Sequence, residues 1–180
     1  KPTVHIIRTG IEIPVLKYHD MIDEVIENVN RNTLIGGIIT GEVMSGKKIL
    51  VLTKRIEHAR VLSETVGSWE GLSFFIDSKD KERNKLLEEL SNGEREFRVL
   101  FGTMSLLATG LDIPSLDTLI LAGDLKSDVL AQQGAGRVLR LFEGKPQPVI
   151  YDLVDDKNPI LLNQSRQRLH LYKRLGWEIV

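Results

Sequence analysis

Apolar residues along this chain fall into two alternating patterns, short unbroken runs and helical stripes. Val4 to Ile7 is a short β-branched run, and Ile49-Leu50-Val51-Leu52 is an apolar run of buried-strand length. Leu72 to Ile76, Arg98 to Phe101, Leu116 to Leu121 and Pro148 to Leu153 repeat the theme. Between the runs, Tyr18, Met21, Ile22, Val25, Ile26 and Val29 follow the spacing of one helix face, and Leu34, Ile35, Ile38, Ile39 and Val43 form a second stripe. Further helices are predicted over Ile56 to Val66, Lys79 to Leu90, Met104 to Ala108, Asp128 to Leu141 and Ile160 to Leu175. Strands alternating with helices through short connections predict an α/β fold, a mostly parallel central sheet covered by helices on both faces. No linker, repeat or low-complexity tract interrupts the pattern. Residues 1–180 therefore read as one domain, with 159–180 as a C-terminal helix and tail.

Composition narrows the function classes. With 42% hydrophobic and 27% charged residues the chain has enough apolar material to fold. No apolar stretch is long enough to span a bilayer, so no membrane partner is expected. A net charge of −1, from 24 Lys+Arg and 25 Asp+Glu, argues against coating nucleic acid by bulk charge and leaves room for a local basic groove. The absence of cysteine removes disulfides, thiolate metal sites and cysteine nucleophiles, and fits a cytoplasmic protein, or a nucleoid or nuclear one in a eukaryote. The start, Lys1-Pro2-Thr3, has neither a signal peptide nor an initiator Met and reads as a cut within a longer protein.

Thr53, Ser78 and Thr103 each follow a predicted strand and precede a predicted helix. Each can cap its helix through the hydroxyl. Together they would line the carboxyl edge of a parallel sheet, where open α/β folds bind ligands and where helix N-termini favour phosphate. Gly41-Glu-Val-Met-Ser-Gly46-Lys47-Lys48 superficially fits the GxxxxGK phosphate loop. Its context is inverted, helix before and strand after, and Lys48 stands where the Mg²⁺-binding hydroxyl belongs. It reads as a helix end and turn.

Gln133-Gly-Ala-Gly136-Arg137-Val-Leu-Arg140 is the most informative segment. On a helix, Gln133, Gly136, Arg137 and Arg140 share one face, and Ala131, Ala135, Val138 and Phe142 share the other. Gly134 and Gly136 each cost helix stability by roughly 1 kcal/mol relative to Ala, which a purely structural helix would avoid. Two guanidinium groups beside thinned backbone suit a bidentate grip on phosphate.

That segment resembles motif VI of superfamily-two helicases. Phe101-Gly-Thr103 with Leu107-Ala-Thr-Gly110-Leu-Asp112-Ile-Pro114 resembles motif V, and Leu50-Val-Leu-Thr53-Lys-Arg55 resembles motif IV. The three occur in family order. The chain thus resembles the C-terminal RecA-like domain of a DEAD/DEAH-type helicase, nearest to DNA-repair and phage-type DNA helicases. The resemblance implies a three-layer α/β/α RecA-like fold and an ATP site, with Mg²⁺, shared with an N-terminal RecA-like domain that carries the phosphate loop and the metal carboxylates. It implies that Arg137 and Arg140 act as arginine fingers and that Gln133 orients near the phosphate or the attacking water. Gly110, Asp112 and Gly136 would line the nucleotide, with Asp112 near the ribose or else a turn carboxylate. Thr53, Arg55, Gly102 and Thr103 would touch nucleic-acid phosphates, Arg55 being alternatively a surface residue at a helix start. No residue is implied as a metal ligand. DNA is the implied partner and RNA is possible. His58 reads as helix surface, the face Arg166, His170, Lys173 and Arg174 reads as solvated helix surface or else as a nucleic-acid contact, and Ser78 departs from the commoner glycine-containing form. The competing function is a degenerate RecA-like binding platform without catalysis.

Overall fold

The apolar runs become strands close to the expected positions in a computed structural model that describes residues 1–67, 69, 71–109, 111–123, 125 and 146–180. They are β1 (Thr3–Arg8), β2 (Ile49–Thr53), β3 (Ser73–Phe75), β4 (Val99–Thr103), β5 (Thr118–Leu121) and β6 (Val149–Val154). A further strand, β7 (Glu178–Ile179), pairs in parallel with β1, so the segment read as a tail forms one edge of the sheet. Among the described residues the sheet has seven strands, ordered β3-β4-β2-β5-β6-β1-β7, and every pairing is parallel. Strand β2 is buried at all five positions, as a central parallel strand covered on both faces must be.

Six helices are described: α1 (Tyr18–Glu27), α2 (Val29–Met44), α3 (Ile56–Val66), α4 (Arg83–Ser91), α5 (Ser105–Ala108) and α6 (Pro159–Leu175). Ile35, Ile39 and Val43 of α2 and Ala59 and Leu62 of α3 pack on one face of the sheet, against Val51, Phe101 and Ile120. Leu90 of α4, Leu106 of α5 and Leu171 and Tyr172 of α6 pack on the other, against Leu52, Leu100 and Leu121. Helix α1 belongs to neither layer. Its Met21, Ile22, Val25 and Ile26 close over Ile13, Val61 and Leu161, which places α1 across the carboxyl ends of β1 and β6.

Local chemistry sets the helix ends. Asn28 caps α2 by accepting from Arg31 N, and Asn158 caps α6 by accepting from Ile160 N and Leu161 N, with Pro159 in its first turn. Gly176, at φ 65°, ends α6 in the left-handed conformation. The Gly41–Lys48 segment is indeed a helix end and turn: α2 stops at Met44, and Gly46 at φ 80° bends the chain toward β2. Helix α4 begins later than its stripe predicts. Asp77 accepts from Lys79 N and Asp80 from Glu82 N, both at 2.9 Å, and these side-chain turns hold the approach out of the helix. The helix expected over Asp128 to Leu141 lies outside the described residues.

Candidate functional site

The register of the sheet sets Thr53 beside Thr103 and Leu52 beside Gly102, so the ends of β2 and β4 meet at one rim. The three capping expectations are not met there. Helix α3 begins only after Arg55, α5 after Met104 and α4 after Glu82, none with a side-chain cap. The helices start one to four residues too late for the hydroxyls to reach them. Thr53 is fully buried, and its Oγ1 donates to Arg55 O at 2.8 Å, with a longer 3.4 Å contact to Gly102 O. It stabilises the turn leaving β2 from within. Thr103 is half-buried, and its Oγ1 pairs with Ser105 Oγ at 2.7 Å on the exposed side. Ser78 is exposed, and its carbonyl accepts from Arg83 at 3.5 Å.

Gly102 is a packing glycine. A Cβ there would overlap Leu106 Cδ1, so its absence lets α5 lie against the end of β4. Arg55 stands at the head of α3 and is tied to α1, its guanidinium donating to Asp23 Oδ1 at 2.8 Å. Beside it, Lys54 Nζ lies 4.6 Å over the Tyr18 ring and also bonds the Tyr18 hydroxyl. This rim therefore combines cations, hydroxyls and an aromatic ring. Asp112 is exposed and lines a different surface, an open cleft of about 440 Å³ against Asn84, Glu88 and Ser91 of α4. Gly110, Gln133, Gly136, Arg137 and Arg140 lie outside the described residues.

His58 is not a surface residue. It is 2% exposed, and its Nε2 donates to Asn32 Oδ1 at 3.2 Å. Burial, with the nearby Arg31 charge, pushes its pKa down to about 3, so the ring stays neutral. Arg166, His170, Lys173 and Arg174 are all exposed.

Two buried ion pairs were not anticipated. Arg31 is 0% exposed and forks onto Asp155, Nε to Oδ1 at 2.8 Å and Nη2 to Oδ2 at 3.0 Å. Arg168 is 1% exposed and grips Asp152 through Nη2 at 2.7 Å and Nε at 2.9 Å. Burial alone would depress the Arg168 pKa, but the Asp152 carboxylate outweighs it and the net shift is upward. Tyr172 completes this cluster by donating to Asp152 Oδ2 at 2.6 Å. The sequence does carry a signal for both arginines. Arg31 extends the buried stripe of Ile35, Ile39 and Val43 by one turn, and Arg168 sits on the buried stripe of Leu161, Ser165, Leu171 and Tyr172.

Residues 26–142 match the family described as helicase conserved C-terminal domain. Among curated relatives, 161L of Invertebrate iridescent virus 6, named as a candidate helicase, is 30% identical over 174 residues, 89% of this chain and 37% of its own length. The probable helicase D10 of Escherichia phage T5 is 28% identical over 140 residues, 77% of this chain and 30% of D10. The chain thus spans about a third of the length of these relatives. The crystal structure of UvsW from phage T4 aligns with a TM-score of 0.77 at 18% identity, over 100% of this chain and 40% of that one. What the two share is the fold, the RecA-like α/β/α arrangement.

Proposed function

The chain belongs to the helicase conserved C-terminal domain family, and we propose that it serves as the second motor lobe of an ATP-dependent nucleic-acid helicase or translocase. In this reading ATP with Mg²⁺ sits between this lobe and an N-terminal RecA-like lobe of the same protein. The Gly41–Lys48 turn does not fit a triphosphate cradle, so the phosphate loop and the metal carboxylates are assigned to that other lobe. Arg137 and Arg140 reach the transferring phosphoryl group and stabilise its charge, Gln133 orients beside them, and Gly110, Asp112 and Gly136 line the nucleotide. The rim where β2 and β4 end tracks the nucleic-acid backbone. Thr103 meets phosphate directly, Arg55 supplies positive charge, Thr53 holds the Arg55 turn in shape, and the buried Gly102 lets α5 pack against the end of β4 that carries Thr103. Contacts of this kind grip phosphates without reading sequence. DNA is the favoured strand, since the related UvsW is named an ATP-dependent DNA helicase.

The observation that carries this reading is the side-by-side ending of β2 and β4 at Thr53 and Thr103 in a chain of this family. The test is Arg140→Ala in the full-length, two-lobed protein. Removing a finger arginine is expected to lower ATP turnover by about 10³-fold or more, with a much smaller change in nucleotide affinity. Unchanged turnover would overturn the finger assignment, and a parent protein with no ATP turnover would favour the binding platform.

A further inference from the structure

The two buried arginines do more than neutralise their carboxylates. Each has one remaining Nη1 donor, and both donors go to the same short stretch of main chain. Arg31 Nη1 donates to Ala122 O at 2.7 Å, and Arg168 Nη1 donates to Leu125 O at 2.8 Å. The two side chains come from opposite faces of the sheet, Arg31 from the first turn of α2 and Arg168 from the middle of α6. Their carboxylates lie three residues apart, Asp152 within β6 and Asp155 just past its end. The stretch they hold is the exit from β5, which leads directly into residues 126–145.

A third wall limits the same exit. Ala122 N donates to Leu52 O at 2.9 Å, and a Cβ added at Gly123 would lie 3.4 Å from Lys54 N and 4.0 Å from His58 Nδ1. The exit is thus confined by α2, by α6 and by the turn after β2. A buried guanidinium must satisfy all its donors, but that requirement does not send two of them from opposite faces to carbonyls three residues apart.

We infer that Arg31 and Arg168 are positioning residues that fix the direction in which the chain leaves β5 and thereby act on turnover through the segment that carries Arg137 and Arg140. The inference rests on the reading of Arg137 and Arg140 as fingers. Placement matters because a misplacement of about 1 Å at a reacting centre can cost about 100-fold in rate.

Arg31→Lys and Arg168→Lys in the full-length protein test it. Lysine keeps the positive charge beside each carboxylate but cannot fork onto the acid and reach the carbonyl at once. Each variant is expected to lower kcat for ATP by about 10-fold or more, with KM for ATP and nucleic-acid affinity within about 2-fold. In an Arg137→Ala/Arg140→Ala background the same substitutions should cost less than about 2-fold further, because both groups they act through are already gone. Near-parental kcat, or losses that multiply in full with the double alanine change, would overturn the inference while leaving the fingers in place. An Arg140→Ala protein with normal turnover would instead remove the finger reading itself, and the inference with it. If a lysine variant fails to fold, Asp155→Asn replaces it. That change keeps the acceptor shape, weakens the hold on Arg31, and should show the same kcat loss and the same non-additivity.

Discussion

Where β2 and β4 end, the sheet meets solvent through Thr103 and Ser105, held by one surface hydrogen bond. Where β6 and β1 end, it is roofed by α1, and beneath the roof lie Arg31, Asp155, Asn158, Asn32 and His58, all buried. The open half pairs its short side chains locally and leaves its cations, Lys54 and Arg55, at the surface against Tyr18 and Asp23. The closed half uses long charged ones whose partners come from distant parts of the chain. Asn158 shows the difference: besides capping α6, its amide donates to Ile13 O at 3.1 Å, across almost the whole sequence. An open rim can adapt to a ligand, and a dry one can set a direction. Buried ion pairs are weak evidence of net stability, because desolvation offsets much of their attraction. Their value here is geometric.

Asp152→Ala probes the closed half hardest. It strands Arg168 in the interior without its carboxylate and should cost about 3–5 kcal/mol in urea unfolding. A loss below about 1 kcal/mol would mean that the guanidinium finds water, and the contrast between the two halves would fade.

The acid response of His58 is the next largest effect. Its folded pKa of about 3 lies below the unfolded value of 6.5. The folded state therefore excludes a proton that the unfolded state binds, so this contribution is whole above pH 6.5 and is lost as pH falls toward 3. Between pH 6.5 and 5 the parent should lose about 2 kcal/mol more than His58→Gln. Parallel unfolding curves for the two proteins over that range would show that the ring is hydrated.

The smallest effects separate the two threonines of the open half. Thr53→Val removes an internal bond to the Arg55 carbonyl and should cost about 1 kcal/mol. Thr103→Val should stay within about 0.5 kcal/mol in stability and weaken binding of single-stranded DNA. The reverse ranking in stability would exchange their roles.

The layered fold was legible because parallel strands buried on both faces must be apolar runs, and Ile49 to Leu52 is such a run. Strand β7 was not, because two residues beside a polar turn carry no periodicity. The late start of α4 was missed because Asp77 and Asp80 act through their side chains on neighbouring N–H groups, which an apolar stripe cannot show. The side-by-side ending of β2 and β4 was legible, but the hydroxyls' partners were not: Thr53 and Thr103 look alike in sequence and differ in burial and in partner, one bonded to Arg55 O and the other to Ser105 Oγ. Arg31, Arg168 and His58 were passed over or set on the surface because a charged or ionisable residue on a helix is usually solvated. Their places on the buried stripes were the better guide.

The position of β1 has a consequence for how the chain is made. Within this lobe, β1 is made before the other described strands, yet it pairs with β6 and β7, which are made after them. Until then β1 has an unpaired edge, and α1 lacks Leu161, one of the residues it closes over. Pairings so distant in sequence form slowly, and the waiting strand invites aggregation. Emergence of β6 and β7 is thus the event that seals this sheet. A nascent chain cut short before β6 would be a target for chaperones and proteases rather than a smaller version of the finished lobe.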